Sequence, residues 1–475
     1  MNQVPTSVTE IDLPLQRAFF YSSVAIISFH LAYAYNFLSF LIVVYLFCLI
    51  HLGRLRSPRM AFYTGLFTGF GCALEASFFW NIFGTAAIAL WVILAFWTAL
   101  FVTLSQLCRA KFGKSFALLL IPFLWTGLEY FRSELYYLRF SWINIGYVFG
   151  GDLPWLPLRY LGMYGIGFVL AAAVCLLEML PARIRIAAAI VTFAALALAT
   201  NLPSPKENFP VASSRRNVRI AGAQLEFPSE PQVVRALDDL QKDCPDVDLL
   251  VLSEYTFTAP IPESVRNWCL KNHRYLIVGG EDPVSGAQYR DTAFVIGPDG
   301  SIVFRQAKSV PIQFFKDGLP AESQELWESP WGKIGICICY DLSYTRVTDR
   351  LIRLGAQAII VPSMDVIDWG RHQHELHARV APTRAAEYAV PVFRLASSGF
   401  SQVVDASGHV LAYAPVPGEG ATITGTLSLG KPGTVPLDRF LAPIAVAIDA
   451  VIILALVILR FVKPVKTPEF KLNPA

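Results

Sequence analysis

From Arg17 to Arg54 the chain carries no Asp, Glu, Lys or Arg between its ends, and Tyr35-Asn36 offers a turn in the middle. A bilayer core requires runs of about 20 apolar residues, so this stretch reads as two spans, near 16–34 and 36–53. Further runs of the same kind fall near 60–80, 83–107, 114–132, 157–180 and 184–201, and a last one at 440–461. Seven spans before a soluble region and one after it account for 54% hydrophobic and 16% charged residues in a 475-residue chain, with a mean hydropathy of +0.48. The first run lies behind a polar, partly acidic leader and passes straight into the second, which reads as a retained hairpin rather than a cleaved signal. A net charge of +3 is too small to argue for nucleic acid.

Basic residues orient the spans. Arg54, Arg56 and Arg59, then Arg109, Lys111 and Lys114, then Arg183 and Arg185, and finally Lys463, Lys466 and Lys471 all fall on one side if the count holds. That side is expected to be cytoplasmic. The expected organisation is a helical membrane domain over 1–204, a soluble domain over 205–435 facing away from the cytoplasm, and a C-terminal helix with a cytoplasmic tail over 436–475.

Leu202 through Arg216 is a Pro/Ser-bearing linker into the soluble part. Short apolar runs then alternate with helix-compatible stretches. Strands are expected at Val218–Gln224, Leu249–Glu254, Tyr275–Val278, Thr292–Ile296, Ser301–Arg305, Ala358–Val361 and Val392–Ala396. Helices are expected at Gln232–Cys244, Thr345–Leu354 and Gln373–Tyr388, and Gly297-Pro298-Asp299-Gly300 signals a hairpin, as does Asp405-Ala406-Ser407-Gly408. This order predicts a layered α/β domain.

Three residues at or near the ends of such runs carry chemistry. Glu254 closes one run, Cys339 closes Gly332–Cys339, and Lys308 follows Phe304–Ala307. A thiol needs a base or a positive field to become a nucleophile, and acyl transfer needs donors for the developing oxyanion. Glu254 can take the thiol proton, while Lys308 can lower the thiol pKa and stabilise the tetrahedral intermediate. Taken singly, each has an ordinary reading: a buried strand cysteine, a cap and a solvated lysine.

The remaining polar residues fit several roles. Cys244 and Cys269 could be bridged outside the cytoplasm. No Cys/His spacing supports a metal, and His372, His374 and His377 do not follow the zinc-helix pattern. Glu75 and Asp449 fall inside expected spans, where a carboxylate is costly and often functional. Trp369 and Phe400 suit an acyl groove, a lid or plain packing.

The soluble region resembles a nitrilase-superfamily domain, whose Glu-Lys-Cys triad appears here in chain order, and the whole chain resembles the apolipoprotein N-acyltransferase family. Trp125 through Arg132 resembles that family's W-x-x-x-E-x-x-R stretch, Phe140–Tyr147 its F-P-W-x-x-x-G-Y loop, and Gly162–Phe168 its G-x-Y-G-x-S-F helix start. Arg384-Ala385-Ala386-Glu387 matches its R-A-x-E helix. The resemblance implies an α-β-β-α sandwich on the far side of a bacterial inner membrane, with no cofactor and no metal. Its implied partners are a phospholipid acyl donor and a diacylglyceryl lipoprotein acceptor. It also implies Glu254 as base, Lys308 as oxyanion stabiliser and Cys339 as nucleophile, with Tyr340, Asp341, Asp291, Trp369 and Glu387 supporting. The chain departs from the family at Lys308-Ser309-Val310-Pro311, two residues shorter than K-x-H-L-V-P, and has Asp317 as the only acid near the family's next glutamate. Ser253-Glu254-Tyr255 replaces P-E-T, Asp291 an asparagine, and Cys339-Tyr340-Asp341 the motif C-Y-E. Two alternatives stay open: a membrane-tethered amidase or hydrolase, and a divergent paralogue acylating another membrane amine.

Overall fold

Eight α-helices precede the first strand among the described residues of the computed structural model, which are 13–150, 158–201, 216–416 and 420–461. They are α1 (Leu15–Ala34), α2 (Ile42–Leu52), α3 (Pro58–Ala73), α4 (Phe79–Phe83), α5 (Ala87–Phe112), α6 (Lys114–Tyr130), α7 (Leu158–Met179) and α8 (Ala182–Asn201). Their ends follow local chemistry. Ser57 caps α3 by accepting from the Met60 amide at 3.3 Å, and Pro58 sits where a missing N–H costs nothing. Helix α7 is kinked at Gly162 (φ +72°), where a Cβ would meet the Asp438 carboxyl at 2.2 Å.

Among the described residues, three helices are long and apolar enough to cross a membrane: Phe79–Phe112, Leu158–Met179 and Asp438–Phe461, with Asn36–Leu52 a shorter apolar segment. The run expected at 36–53 begins as a 3-10 turn, Asn36–Leu41. The run expected at 60–80 leaves α-geometry after Ala73, and the turn Leu74–Ala76 carries Glu75. The linker over 202–215 and the tail lysines Lys463, Lys466 and Lys471 lie outside the described residues.

The soluble part is a pair of six-stranded sheets. In chain order its elements are β1 (Arg216–Ala223), α9 (Glu230–Asp243), β2 (Leu249–Val251), α10 (Glu263–Asn272), β3 (Tyr275–Ser285), β4 (Gln288–Ile296) and β5 (Ile302–Ala307). There follow β6 (Leu326–Ser329), β7 (Gly332–Ile336), α11 (Thr345–Leu354), β8 (Ala358–Ser363), α12 (Arg371–Ala378), α13 (Val380–Tyr388), β9 (Val392–Ala396), β10 (Ser401–Val404), β11 (Val410–Ala414), β12 (Thr422–Leu429) and α14 (Asp438–Phe461). One sheet runs β12-β1-β2-β3-β4-β5 and the other β11-β10-β9-β8-β7-β6. Both are parallel at the centre (β1-β2-β3 and β7-β8-β9) and antiparallel toward the edges. Parallel pairing needs helical crossovers, and these cover the outer faces.

Three apolar layers result. Val218, Ile220, Leu249 and Ile277 of the first sheet meet Ile334, Ile336, Ile360 and Phe393 of the second. Val233, Leu237 and Leu240 of α9 and Val265 and Trp268 of α10 cover the first sheet from outside. On the outer face of the second sheet, Leu351, Val380 and Ala385 belong to one core shared with the helical bundle. The predicted α-β-β-α sandwich is therefore present, with its second helical layer buried against the bundle.

Several expectations are corrected. The helix expected at Gln373–Tyr388 is two, α12 and α13, because Pro382 has no N–H to give the Ala378 carbonyl. The strand expected to end at Glu254 stops at Val251, and β3 runs on past Val278 through Gly279 and Gly280. Cys244 and Cys269 are free thiols: Cys269 faces the core beneath α10 while Cys244 ends α9.

The two halves exchange helix caps. Glu134, just after α6, accepts from the Thr345 amide at the start of α11 (3.1 Å), and Glu387 of α13 accepts from the Met163 amide at the α7 kink (2.6 Å). Carboxylates are favoured at helix N-termini, and here each half supplies the other's. Arg384 and Arg439 close the network, binding Glu387 at 2.5 and 3.4 Å, and Arg439 also binds Asp349 at 2.9 Å.

Candidate active site

Three loops leave the same end of the sandwich. Chain geometry holds two of them in an unusual shape. After β2 the chain turns at Glu254-Tyr255, with Tyr255 at φ +48°. Gly279 of β3 lies directly behind, where a Cβ would stand 2.6 Å from the Glu254 Cα, so this position accepts only glycine. After β7 the chain reaches Cys339, whose φ is +50°, and enters the 3-10 turn Cys339–Ser343. A non-glycine residue held at positive φ costs about 1–3 kcal/mol and persists where surrounding structure imposes it. Lys308 follows β5, its amide donating to the Asp291 carbonyl at 2.8 Å and so extending the β4–β5 pairing.

The side chains converge. Lys308 Nζ donates to Glu254 Oε1 at 2.6 Å and lies 2.7 Å from Asp317 Oδ2 and 3.6 Å from Asp291 Oδ2. The Met364 amide donates to Glu254 Oε2 at 2.6 Å, and the Cys339 thiol donates to the Met364 carbonyl at 3.6 Å. One peptide unit thus faces both base and nucleophile. Tyr255 OH donates to Asp317 Oδ1 at 3.1 Å and the Ile312 amide to Asp317 Oδ2 at 2.6 Å, which fixes this second acid. Among the described residues, Glu254, Asp291 and Asp317 are the one group close enough to share a metal ion. The Lys308 ammonium already sits among them.

Burial sets the protonation states. It opposes ionisation of Glu254, but the Lys308 ammonium outweighs it and holds that carboxyl below its usual range. Burial likewise opposes the Lys308 charge, yet Glu254 and Asp317 keep it well above the ordinary value. The Cys339 thiol is pushed well up, by burial and by the Glu254 charge. Lys308 does pull it down, as the sequence suggests, but the other two effects win. The resting site is therefore carboxylate, ammonium and neutral thiol. Asp291 is driven well above the carboxylate range by burial and by Glu254, and neither of its oxygens accepts a hydrogen bond from the described residues. Burial beside the Glu254 charge favours its protonated form.

Asp341 straps two loops together. Its carboxylate accepts from the amides of Ser309 (3.0 Å), Val310 (2.7 Å) and Ile338 (3.3 Å), joining the Lys308 loop to the Cys339 turn. Burial pushes it up to about 6, against those three hydrogen bonds. Tyr340 OH donates to the Arg139 carbonyl at 3.0 Å, and its ring meets Trp142 edge-on at 5.5 Å. Behind Met364, Asp365 binds His377 at 2.7 Å and Arg394 at 2.5 Å, while His377 stacks on Trp142 at 4.5 Å.

Two cavities meet at the site. One, of about 870 Å³, is lined by Glu254, Lys308, Tyr255 and Met364. The other, of about 780 Å³, is almost wholly apolar and lies between Phe79, Phe83 and Leu90 of the bundle and Phe314, Tyr340 and Phe140. Ile312, Phe315 and Trp369 line both, so the cavity at the charged cluster adjoins the apolar seam beside α4 and α5, and together they form the cleft.

Of the residues singled out in the sequence, Glu254, Lys308, Cys339 and Asp291 are brought together, Asp341 braces them, and Tyr340 and Trp369 line the cleft. Glu387 is elsewhere, in the junction network. Phe400 lies under Arg371, beside a different cavity. The three histidines have separate partners: Glu75, the Val366 carbonyl and Asp365. Sequence reasoning missed Gly279, Asp365 and the Met364 peptide, and it undervalued Asp317, whose short distance from Lys308 in the chain was the available signal.

Residues 22–176 match the apolipoprotein N-acyltransferase N-terminal domain, and 260–436 match carbon-nitrogen hydrolase. An apolipoprotein N-acyltransferase of Geobacter metallireducens is 23% identical over 79% of this chain and 82% of its own length. The omega-amidase of Mus musculus is 27% identical over 30% of this chain and 59% of its own. Among solved structures, a carbon-nitrogen hydrolase of Helicobacter pylori G27 aligns with a TM-score of 0.40 and 19% identity, over 45% of this chain and 90% of that one. Together, the two matched domains and the Geobacter metallireducens relative support the apolipoprotein N-acyltransferase family, within the nitrilase superfamily, for this chain.

Proposed function

We propose that this protein is a phospholipid-dependent N-acyltransferase that works through a thioester on Cys339 and passes the acyl chain to the N-terminal amine of a diacylglyceryl-cysteine lipoprotein. The single observation carrying this reading is the cleft. A cluster suited to carbon–nitrogen chemistry adjoins an apolar seam walled by the helical bundle, a feature that a soluble amide substrate does not need. The bundle is read as seven spans, with α14 as the eighth and the catalytic domain on the periplasmic side of the inner membrane. Both lipid substrates then keep their tails in the bilayer while the reacting atoms meet at its surface.

Glu254 takes the thiol proton as sulfur attacks the ester carbonyl of the donor. The C–S bond forms and the carbonyl oxygen becomes an oxyanion, which the Lys308 ammonium stabilises. On collapse the ester C–O bond breaks, Glu254 returns the proton to the departing alkoxide, and a lysophospholipid leaves. The acceptor amine then attacks the thioester and Glu254 takes the amine proton. Collapse breaks the C–S bond and that proton returns to sulfur, regenerating the thiol. Asp317 keeps Lys308 charged, and Asp341 keeps its loop against the Cys339 turn.

Intact-protein mass spectrometry after incubation with a defined phospholipid tests the first half. One added acyl group is expected, and none in Cys339→Ala; labelling that survives this substitution would exclude the assignment. Adding a diacylglyceryl peptide tests the second half. Acyl transfer to its amine is expected, whereas release of free fatty acid alone would make the protein a hydrolase.

A further inference from the structure

We propose that Glu75 and His372 are positioning residues that set the width of the acyl cleft, because their contact ties its bundle wall to its catalytic wall. This rests on the reading of the cleft as an acyl site. Glu75 is buried in the turn Leu74–Ala76, in an otherwise apolar stretch where a carboxylate is expensive unless it serves a purpose. His30 of α1 holds one of its oxygens (Nδ1 to Oε2, 2.5 Å) and is itself anchored on the Gly71 carbonyl at 2.9 Å. His372 of α12 grips the other side: its Nε2 lies 3.2 Å from Glu75 Oε1 and 2.7 Å from the Glu75 carbonyl.

What this contact joins is the cleft itself. Just beyond Glu75 in the chain comes α4, whose Phe79 and Phe83 form the bundle wall, and just before His372 comes Trp369, which lines both cavities. Asn81 of α4 donates to the Trp369 carbonyl at 3.2 Å, and a Cβ on Gly370 would lie 2.7 Å from that amide nitrogen. Phe315 touches both walls, its ring 5.9 Å from Phe83 and 6.1 Å from Trp369. Release of His372 from Glu75 leaves the Asn81 bond as the remaining polar tie between Trp369 and α4 among these contacts.

The tie also depends on pH. Its hydrogen bond to Glu75 holds His372 above the ordinary histidine range, against partial burial. The other charged groups facing the pair are His30, Glu375 (3.8 Å from His372 Nδ1), Arg371, which is bound to Glu375 at 2.8 Å, and Arg379, which donates to the carbonyls of Tyr33 and Val148. A raised histidine pKa means that the charged contact is complete below about pH 6.5 and is lost as pH rises through the raised value.

The test uses the purified full-length chain and synthetic phospholipids that differ only in acyl-chain length, reading the rate of Cys339 acylation from about pH 6 to about pH 9. For the wild type, KM should rise with pH and the chain-length preference should broaden. His372→Ala should raise KM about fivefold at the acidic end, leave kcat unchanged, broaden the preference and abolish its pH dependence. Glu75→Gln should do the same, and His372→Lys, which keeps the charge, should restore low KM across the whole range. Variants that retain the wild-type profile, or that lose kcat with KM intact, would overturn the inference. Failure of the wild type to form any acyl-enzyme would instead remove the transferase reading on which it rests.

Discussion

Two fully buried charge clusters in this molecule have opposite characters. At the domain junction, Arg384 and Arg439 face Glu387, Asp438 and Asp349. Glu387 there is satisfied by two arginines and a backbone amide. Beside Cys339, one ammonium faces three acids, one of which accepts no hydrogen bond from the described residues, and a cavity opens directly onto the group. A cluster in which every carboxylate is held by a guanidinium and a further donor holds parts together. A cluster with an acid left unpartnered and an open side has a proton to move and somewhere to receive a substrate. Burial alone therefore does not distinguish structure from chemistry; the balance of partners does.

Substitutions in the two clusters should separate these roles. The largest effect is expected from Glu254→Gln, which removes the base: thioester formation should fall by about 10²–10⁴-fold, read by single-turnover acylation, with the melting temperature little changed. A large loss of stability instead would make this cluster structural too. Glu387→Gln should do the reverse. It leaves the buried Arg384 guanidinium without its paired carboxylate and should cost about 3–5 kcal/mol, read as a lower thermal midpoint in detergent. The folded fraction should still acylate Cys339 at the wild-type rate.

Asp341 tests where the clusters' properties meet. The family resemblance implies only a supporting role for Asp341. The three amides it gathers make it a brace. Its carboxyl sits at about 6 in the fold, above the ordinary range, so its protonated form favours folding. By itself it therefore adds stability as pH falls through about 6 toward the unfolded value near 4. The brace works through the charged form, so acylation should decline over that same interval while this stabilising contribution grows. Asp341→Asn should lower the rate and remove that acidic limb. The smallest effect is expected from Asp291→Asn. Because Asp291 already carries a proton beside Glu254, the amide replaces it nearly in kind, and the rate near neutral pH should stay within about threefold. A loss as large as that of Glu254→Gln would mean that Asp291 acts as a second base.

The contrast extends to what could be read beforehand. Apolar runs, turn signals and alternating patterns are local properties, and they located most elements well: α11 occupies Thr345–Leu354 as expected, and the Gly297–Gly300 turn joins β4 to β5. Local reading failed where a partner or a missing partner decided the outcome. Pro382 divided a helix that periodicity made continuous, and Glu254 lies beyond β2 because Gly279 makes room for a turn there.

The sequence by itself determined the apolar character of the helical segments, the layered α/β order of the soluble part, and the three residue types able to run thiol chemistry. Tertiary structure alone decided that Asp317 supports Lys308 while Glu387 serves the junction, that the thiol rests neutral, and that Glu75 reaches His372 across two domains. The physical reason is range. Hydrophobic periodicity acts between neighbours a few residues apart, whereas a pKa, a cleft or a clamp depends on which distant atoms share a buried volume, and no local pattern records that.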